Sequence, residues 1–332
     1  VPALDSLIDQ VLRDTKAKHV VLYAHSMGGL VMRDYISAQA HQDKVIRIAT
    51  AGTPYWGAPK SHFSFLEGDT DTPDGSPLDL LTNAGDLQRL TQNLQGLFFL
   101  HPSARLGPWL SLATGTGPMK VQDEAGELRW IQALGGNPLL LGTAHRWHDR
   151  NDGFPATDID YEVMVGAGSP TATKVAVRRI TGVADTADVT FGSGDGTVPI
   201  ESATQGASSG SLPAAKVGIH YVCGVTHVPL PGDPQVTARI KDFLVKGAAV
   251  EGFDDNCPYT GRVFKTYDVD LSAGNVVVQF PGTRTHGRGR ASTTTVSLGK
   301  AINLGLVQVY QLSGRTTFVT DDRSPVTLRL KG

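Results

Sequence analysis

The sequence predicts an α/β protein: a mostly parallel sheet flanked by helices, interrupted by an insertion and followed by a small all-β module. Three observations predict it. Short β-branched apolar runs alternate with helically spaced segments over the first 50 residues. The same rhythm returns near residue 160 and holds to about 246, after a Gly- and Pro-rich stretch. Beyond Gly247 only strand-length alternating segments remain, broken by Gly, Asp and Ser.

Taken in order, Leu4, Leu7, Ile8, Val11 and Leu12 follow helical spacing. His19–Tyr23 reads as a buried parallel strand. Gly28-Gly29 opens a second helix with Leu30, Val31, Tyr35 and Ile36 on its apolar side, and 45–49 is the next strand. From about 56 to 158 the rhythm breaks, with an acidic stretch at Glu67–Gly75 and helix-like segments within 78–94; this is read as an insertion above the sheet. Strands return at 161–165 and 217–222, with a β-hairpin excursion at 174–180 and 188–191 between them. The segment 234–246 is a closing amphipathic helix. Strands are expected at 262–271, 275–279, 291–298, 306–311 and 316–319, which suggests a sandwich-like module. The expected division is therefore 1–250 and 258–332.

Composition narrows the function classes. Of the 332 residues, 40% are hydrophobic and 19% charged, which excludes wholesale disorder and fibrous repeats. No apolar run approaches the ~18–20 residues of a membrane span. The net charge of −2 gives no global reason to expect nucleic acid. Charge is uneven: residues 258–332 carry +6 and the rest −8, a step that often marks a domain boundary. Two cysteines, Cys223 and Cys257, exclude a multi-cysteine zinc module and can form at most one bridge within the chain; their spacing leaves pairing open.

Chemistry concentrates at Ala24-His25-Ser26-Met27-Gly28, which follows a strand and precedes a helix. A serine on a sharp strand-to-helix turn needs small residues two before and two after it, here Ala24 and Gly28. Ala24 stands where a glycine is usual. Such a string is common by chance; its strand–turn–helix context makes it specific. A serine nucleophile needs a base, and the base an orienting carboxylate. In α/β-hydrolases they follow in the order Ser, Asp or Glu, His. Asp195, in Gly194–Pro199, and His227, in Val225–Pro229, supply them in that order, each after a strand-like segment. Each has a plain alternative: Asp-Gly is a common turn dipeptide, and a lone loop histidine is usually solvated. Jointly they read as a triad of Ser26, Asp195 and His227, with the Met27 backbone N–H as one oxyanion donor.

The surrounding motifs are more specific. Thr53-Pro54-Tyr55-Trp56-Gly57-Ala58-Pro59-Lys60, then Leu100–Ser103, Gly166–Thr171 and Gly194-Asp195-Gly196-Thr197-Val198 stand in the order of the lecithin:cholesterol acyltransferase family, which includes phospholipid:diacylglycerol acyltransferases and bacterial lipase-like relatives. The chain resembles that family over about 1–246. The resemblance implies an α/β-hydrolase fold, the same three triad residues, a lipid or other acyl-ester substrate and no cofactor or metal. The acyl group would pass to water or to an alcohol acceptor. In this fold several strands normally precede the elbow, so the chain is expected to lack an N-terminal portion, with the second oxyanion donor and any targeting segment in it. Contact with a lipid surface stays open.

Other groups carry weaker readings. His145-Arg146-Trp147-His148-Asp149 has metal-like letters without a third placed ligand. Asp69, Asp71, Asp74 and Gly75 resemble a calcium loop with one residue too many, and a solvated loop is the plainer reading. Phe63, Phe65, Phe98, Phe99, Trp109 and Trp130 either line an acyl pocket or form the insertion's core. His25 is expected to pack or hydrogen-bond locally rather than act as a base. Arg284–Arg290 reads as a solvated hairpin tip. The Thr-rich β-module suggests an extracellular or cell-surface setting. The competing function is a non-catalytic surface or binding protein on a hydrolase scaffold.

Overall fold

In the computed structural model, the described residues are 1–62, 84–153, 158–179, 186–207 and 216–247, together with Cys257 and the later strands named below. The central sheet is parallel throughout, with the order β1 (Val20–His25), β2 (Val45–Ala51), β5 (Asp160–Ala167), β8 (Val217–Cys223), β9 (Gly252–Asp254). Strand alternation divides its side chains between two cores. Ile48, Val163, Val165 and Ile219 face helices α1 (Pro2–Thr15) and α2 (Met27–Ile36), meeting Ile8, Leu30, Met32, Tyr35 and Ile36. Ala49, Ala51, Met164 and Val222 face α9 (Pro234–Lys241), meeting Val236, Ile240 and, in the π-helical turn that continues it, Phe243.

The expected buried strand at 19–23 is β1, and its burial is a correction. Val21 and Tyr23 are each 39% exposed while Val20 and Leu22 pack against the α1–α2 core, so only one face of this strand at the edge of the described sheet is well covered. The helix α3 (Gln39–Gln42) carries the chain into β2.

The insertion builds its own layer. Helices α4 (Ala84–Thr91) and α5 (Gln95–Phe98), strands β3 (Leu110–Thr114) and β4 (Lys120–Val121), and helices α6 (Glu124–Ala133) and α7 (Pro138–Asn151) follow in order. The expected hairpin is β6 (Ser169–Arg179) with β7 (Thr186–Gly194), and it joins this layer: β3 pairs parallel with β6, giving a sheet β4-β3-β6-β7. The cap is thus made from two separate stretches of chain. Phe98, Trp109, Trp130, Ile131 and Leu141 fill its core. The acidic stretch at 67–75 and Phe63 and Phe65 lie outside the described residues.

A short helix α8 (Ile200–Thr204) follows β7. The central sheet runs past the expected boundary at 250, since β9 pairs with β8 and Cys257 is disulfide-bonded to Cys223. The remaining strands form two three-stranded antiparallel sheets. One is β10 (Phe264–Asp268), β14 (Arg315–Asp321), β13 (Gln308–Leu312); the other is β12 (Thr293–Ser297), β11 (Asn275–Pro281), β15 (Thr327–Lys331). Strand β15 lies beyond the expected strands, although Val326, Leu328 and Leu330 alternate with polar residues. Residues 284–290 lie outside the described residues.

Candidate active site

Four loops meet at the C-terminal edge of the central sheet, where parallel α/β sheets present their ligands. The first follows β1. Ser26 has φ 55° and ψ −132°, a conformation costing about 1–3 kcal/mol for a non-glycine residue. The turn is held from both sides: Ser26 N donates to Ala51 O at 2.9 Å, and Gly29 N to Ser26 O at 3.0 Å. A Cβ on Gly28 would lie 3.2 Å from that of Ala24, so both flanking positions must stay small. One on Gly29 would sit 2.1 Å from Thr53 Oγ1, which is why α2 can seat against the loop after β2. Met27 is the first residue of α2, so its N–H has no partner within the helix and points where an anion is favoured.

The acid turn follows β5, though 27 residues intervene in the chain. The β6–β7 hairpin leaves after Ala167 and returns at Gly194, pairing Ser169 with Gly194 and bridging Ser169 to Asp195. Asp195 therefore occupies the end of β5 in space. Its carboxylate is buried and fully engaged: Oδ1 accepts from Thr197 N at 2.9 Å and Val198 N at 2.7 Å, and Oδ2 faces His227 Nδ1 at 2.7 Å. Lys60 Nζ donates to Gly196 O at 3.1 Å, tying this turn to the loop after β2.

His227 stands on the loop after β8. Its backbone N–H donates to Asp195 O at 2.8 Å, and its Nε2 lies 2.9 Å from Ser26 Oγ. With Nδ1 donating to a carboxylate, the neutral ring has Nε2 as acceptor for the Ser26 hydroxyl. Serine, imidazole and carboxylate thus lie in one hydrogen-bonded line, with the imidazole partly open to solvent. Such a line can take a proton from the hydroxyl as its oxygen attacks, and stabilise the imidazolium that forms.

Two glycines that belong to the family-like motifs close around this line. Gly52 has φ +58°, and a Cβ there would lie 2.9 Å from Asp195 Oδ2 and 3.1 Å from His227 Nδ1. On Gly166 a Cβ would come within 2.5 Å of Asp195 Cβ. Their motifs mark these glycines but not their packing role, because what they make room for arrives from far along the chain. His25 Nε2 lies 2.9 Å from His227 O, and the two rings are 4.6 Å apart. Burial, with the neighbouring His227, holds the His25 pKa below its ordinary value.

The remaining candidates fall elsewhere. Phe98, Trp109 and Trp130 are buried in the cap core and Phe99 is partly buried against it, so the described members of that aromatic set are packing groups. His145 lies 3.4 Å from Glu127 Oε2, whereas His148 pairs with Asp152 at 2.7 Å and Phe99 O at 3.1 Å; the two rings serve different partners. No group of metal-ligating side chains occurs among the described residues. Deeper in the cap, Trp130 Nε1 donates to His62 Nε2 at 2.9 Å, and burial lowers the His62 pKa to about 3. Glu127 is held at about 2: burial alone would raise it, but hydrogen bonds from His101 and His145 prevail. The cap also approaches the elbow, since a Cβ on Gly96 would lie 3.4 Å from Met27 Sδ.

The parallel sheet, its flanking helices and the strained serine turn form an α/β-hydrolase fold. The family model described as lecithin:cholesterol acyltransferase matches residues 2–84, the stretch that holds β1, the elbow and the loop after β2. That match covers about a quarter of the chain and marks a similarity to the lecithin:cholesterol acyltransferase family. No curated protein matches it significantly. Among solved structures it is similar to that of the Tle4–Tli4 complex, at 18% identity and a TM-score of 0.36 over 52% of this chain and 42% of that one. It is also similar to Bacillus licheniformis lipase BlEst2 in propeptide form, at 13% identity and a TM-score of 0.39 over 96% of this chain and 57% of that one. The chain therefore spans about half the length of these two neighbours. No helix among the described residues is long and apolar enough to cross a membrane.

Proposed function

We propose that the protein cleaves acyl esters of lipids through an acyl-serine, with Ser26 as nucleophile, His227 as general base and Asp195 as its orienting carboxylate. The observation that carries this reading is the unbroken line from Ser26 Oγ to His227 Nε2 at 2.9 Å and from His227 Nδ1 to Asp195 Oδ2 at 2.7 Å. Ser26 Oγ attacks the ester carbonyl carbon as its proton passes to Nε2, and the carbonyl oxygen gathers charge against the Met27 N–H. Collapse breaks the bond to the alcohol, which leaves with the proton from Nε2. Water, or an alcohol acceptor, then gives its proton to Nε2 and attacks the acyl carbon, releasing Ser26.

The division into a hydrolase body over 1–250 and an appended β-module over 258–332 belongs to the same reading, with β9 and Cys257 as the join. An extracellular or cell-surface setting is supported by the Cys223–Cys257 disulfide, since such bonds persist in oxidising compartments.

Product analysis with an acyl-labelled phospholipid, with and without added long-chain alcohol, tests the reaction. Free fatty acid alone identifies hydrolysis, and labelled ester of the added alcohol identifies acyl transfer. Absence of both from the folded protein, or equal product from Ser26→Ala, overturns the proposal.

A further inference from the structure

His25 and Tyr23 lie two residues apart on β1 and so project to the same face of the strand. Both reach the loop that carries His227. Tyr23 Oη donates to Pro231 O at 3.1 Å, and His25 Nε2 lies 2.9 Å from His227 O. A carbonyl only accepts, so His25 Nε2 carries the hydrogen. The His25 ring also rests against the His227 ring at 4.6 Å between centroids. The strand that leads into Ser26 therefore grips the backbone of the residue whose side chain meets Ser26.

That grip matters at one stage in particular. The hydrogen bond between Ser26 Oγ and His227 Nε2 exists only while the hydroxyl keeps its proton. Once Oγ is esterified it has nothing to donate, and Nε2 must hold its place to accept a proton from the incoming water or alcohol. Two contacts from Asp195 then remain, to Nδ1 and to the backbone N–H, and both come from the acid turn. Within this set, only His25 links the imidazole's residue directly to the strand bearing the acyl group.

We propose that His25 is a positioning residue for the second half-reaction, keeping His227 in register with the acyl carbon while Ser26 is acylated. The proposal rests on the serine mechanism above. It predicts a kinetic split. His25→Phe keeps the ring volume and loses the donor, and His25→Gln keeps an N–H within reach of the carbonyl.

A p-nitrophenyl ester makes the test, because its good leaving group lets kcat report deacylation while kcat/KM reports acylation. Rates are normalised to the fraction of protein titrated by a fluorophosphonate, which removes misfolded protein from the comparison. H25F is expected to lower kcat about tenfold with kcat/KM within threefold of wild type, so that KM falls with kcat. H25Q is expected to restore kcat to within threefold. Should H25F fail to fold, His25→Asn, polar but too short for the carbonyl, carries the same expectation. Equal losses in kcat and kcat/KM, or no loss in either, overturn the role of His25 and leave the serine mechanism standing. A wild-type protein that neither turns over nor acylates Ser26 refutes that mechanism, and the role of His25 with it.

Discussion

Two of the buried histidine–carboxylate pairs among the described residues differ in what lies beyond the imidazole. In the cap, His101 Nδ1 sits 3.0 Å from Glu127, and the His101 ring is fully enclosed, stacked near Phe98 and edge-on to Trp109. At the sheet edge, His227 Nδ1 sits 2.7 Å from Asp195, but its Nε2 reaches a serine hydroxyl and the ring is partly open to solvent. The pair alone is therefore no signature of a reaction. Chemistry needs an ionisable third group and an approach for substrate, which the sheet edge supplies through the strained turn at Ser26. The cap pair is instead part of a packed core, where each charge must be matched internally.

The largest effects expected from this contrast are at the sheet edge. Ser26→Ala or His227→Ala should each lower ester turnover by about 10⁶-fold and Asp195→Asn by about 10⁴-fold, as losses within a cooperating triad do. Glu127→Gln in the cap should change normalised turnover by less than about tenfold while lowering stability, because a buried neutral amide replaces the carboxylate held by His101 and His145. Turnover assays beside thermal unfolding separate the two; comparable kinetic losses in both regions would dissolve the distinction.

Next in size is Gly52→Ala. The added Cβ meets Asp195 Oδ2 and His227 Nδ1 at about 3 Å and demands a positive φ, so turnover should fall about 10²-fold. Its stability should drop by about 1–3 kcal/mol, which denaturant unfolding would read. A Gly52→Ala protein of full activity would show that this packing does not hold the site.

Acid should act first on the cap. The folded-state pKa of His62 is about 3 against an ordinary 6.5, so the unfolded chain binds more protons between those values. Stability contributed by neutral His62 is present above pH 6.5 and falls by about 1.4 kcal/mol per pH unit below it. Glu127, held at about 2, adds loss as pH drops from 4.5 towards 2. His145, raised by Glu127 against the effect of burial, works in the opposite sense: its contribution is present below pH 6.5 and fades as pH rises through its folded-state pKa. Thermal unfolding between pH 7 and 4 should be visibly flatter in His62→Phe than in wild type. The smallest expected effect is Lys60→Met, which removes the tie to Gly196 O and should cost turnover about threefold to tenfold with little loss of stability.

What could be read in advance follows the same divide. Ser26, Ala24 and Gly28 were legible because an elbow is a local constraint: five consecutive residues state it, and the strand before them confirms its setting. Asp195 and His227 were legible through chain order and their loops. Gly52 and Gly166 stand in the family-like motifs, but their role is not legible there, because their lack of a side chain acquires meaning only when residues well over 100 positions away for Gly52, and about 30 for Gly166, fold against them. The parallel pairing of β3 with β6 joins Leu110 to Val175, a partnership that periodicity within either strand cannot announce. The exposed face of β1 is hidden in the sequence for a related reason, since an apolar run looks alike whether one face of its strand is covered or both. The disulfide is not legible in the sequence, because two cysteines 34 residues apart say nothing about distance until β8 and β9 are paired.

The central claim, that Ser26 is a nucleophile activated by His227, is tested most directly by fluorophosphonate labelling followed by peptide mass mapping. The account predicts one adduct, on Ser26, formed by wild type and absent from Ser26→Ala, and formed at least about 10³-fold more slowly by His227→Ala. An adduct on another residue, equal labelling of His227→Ala, or folded wild-type protein that takes no label would contradict it.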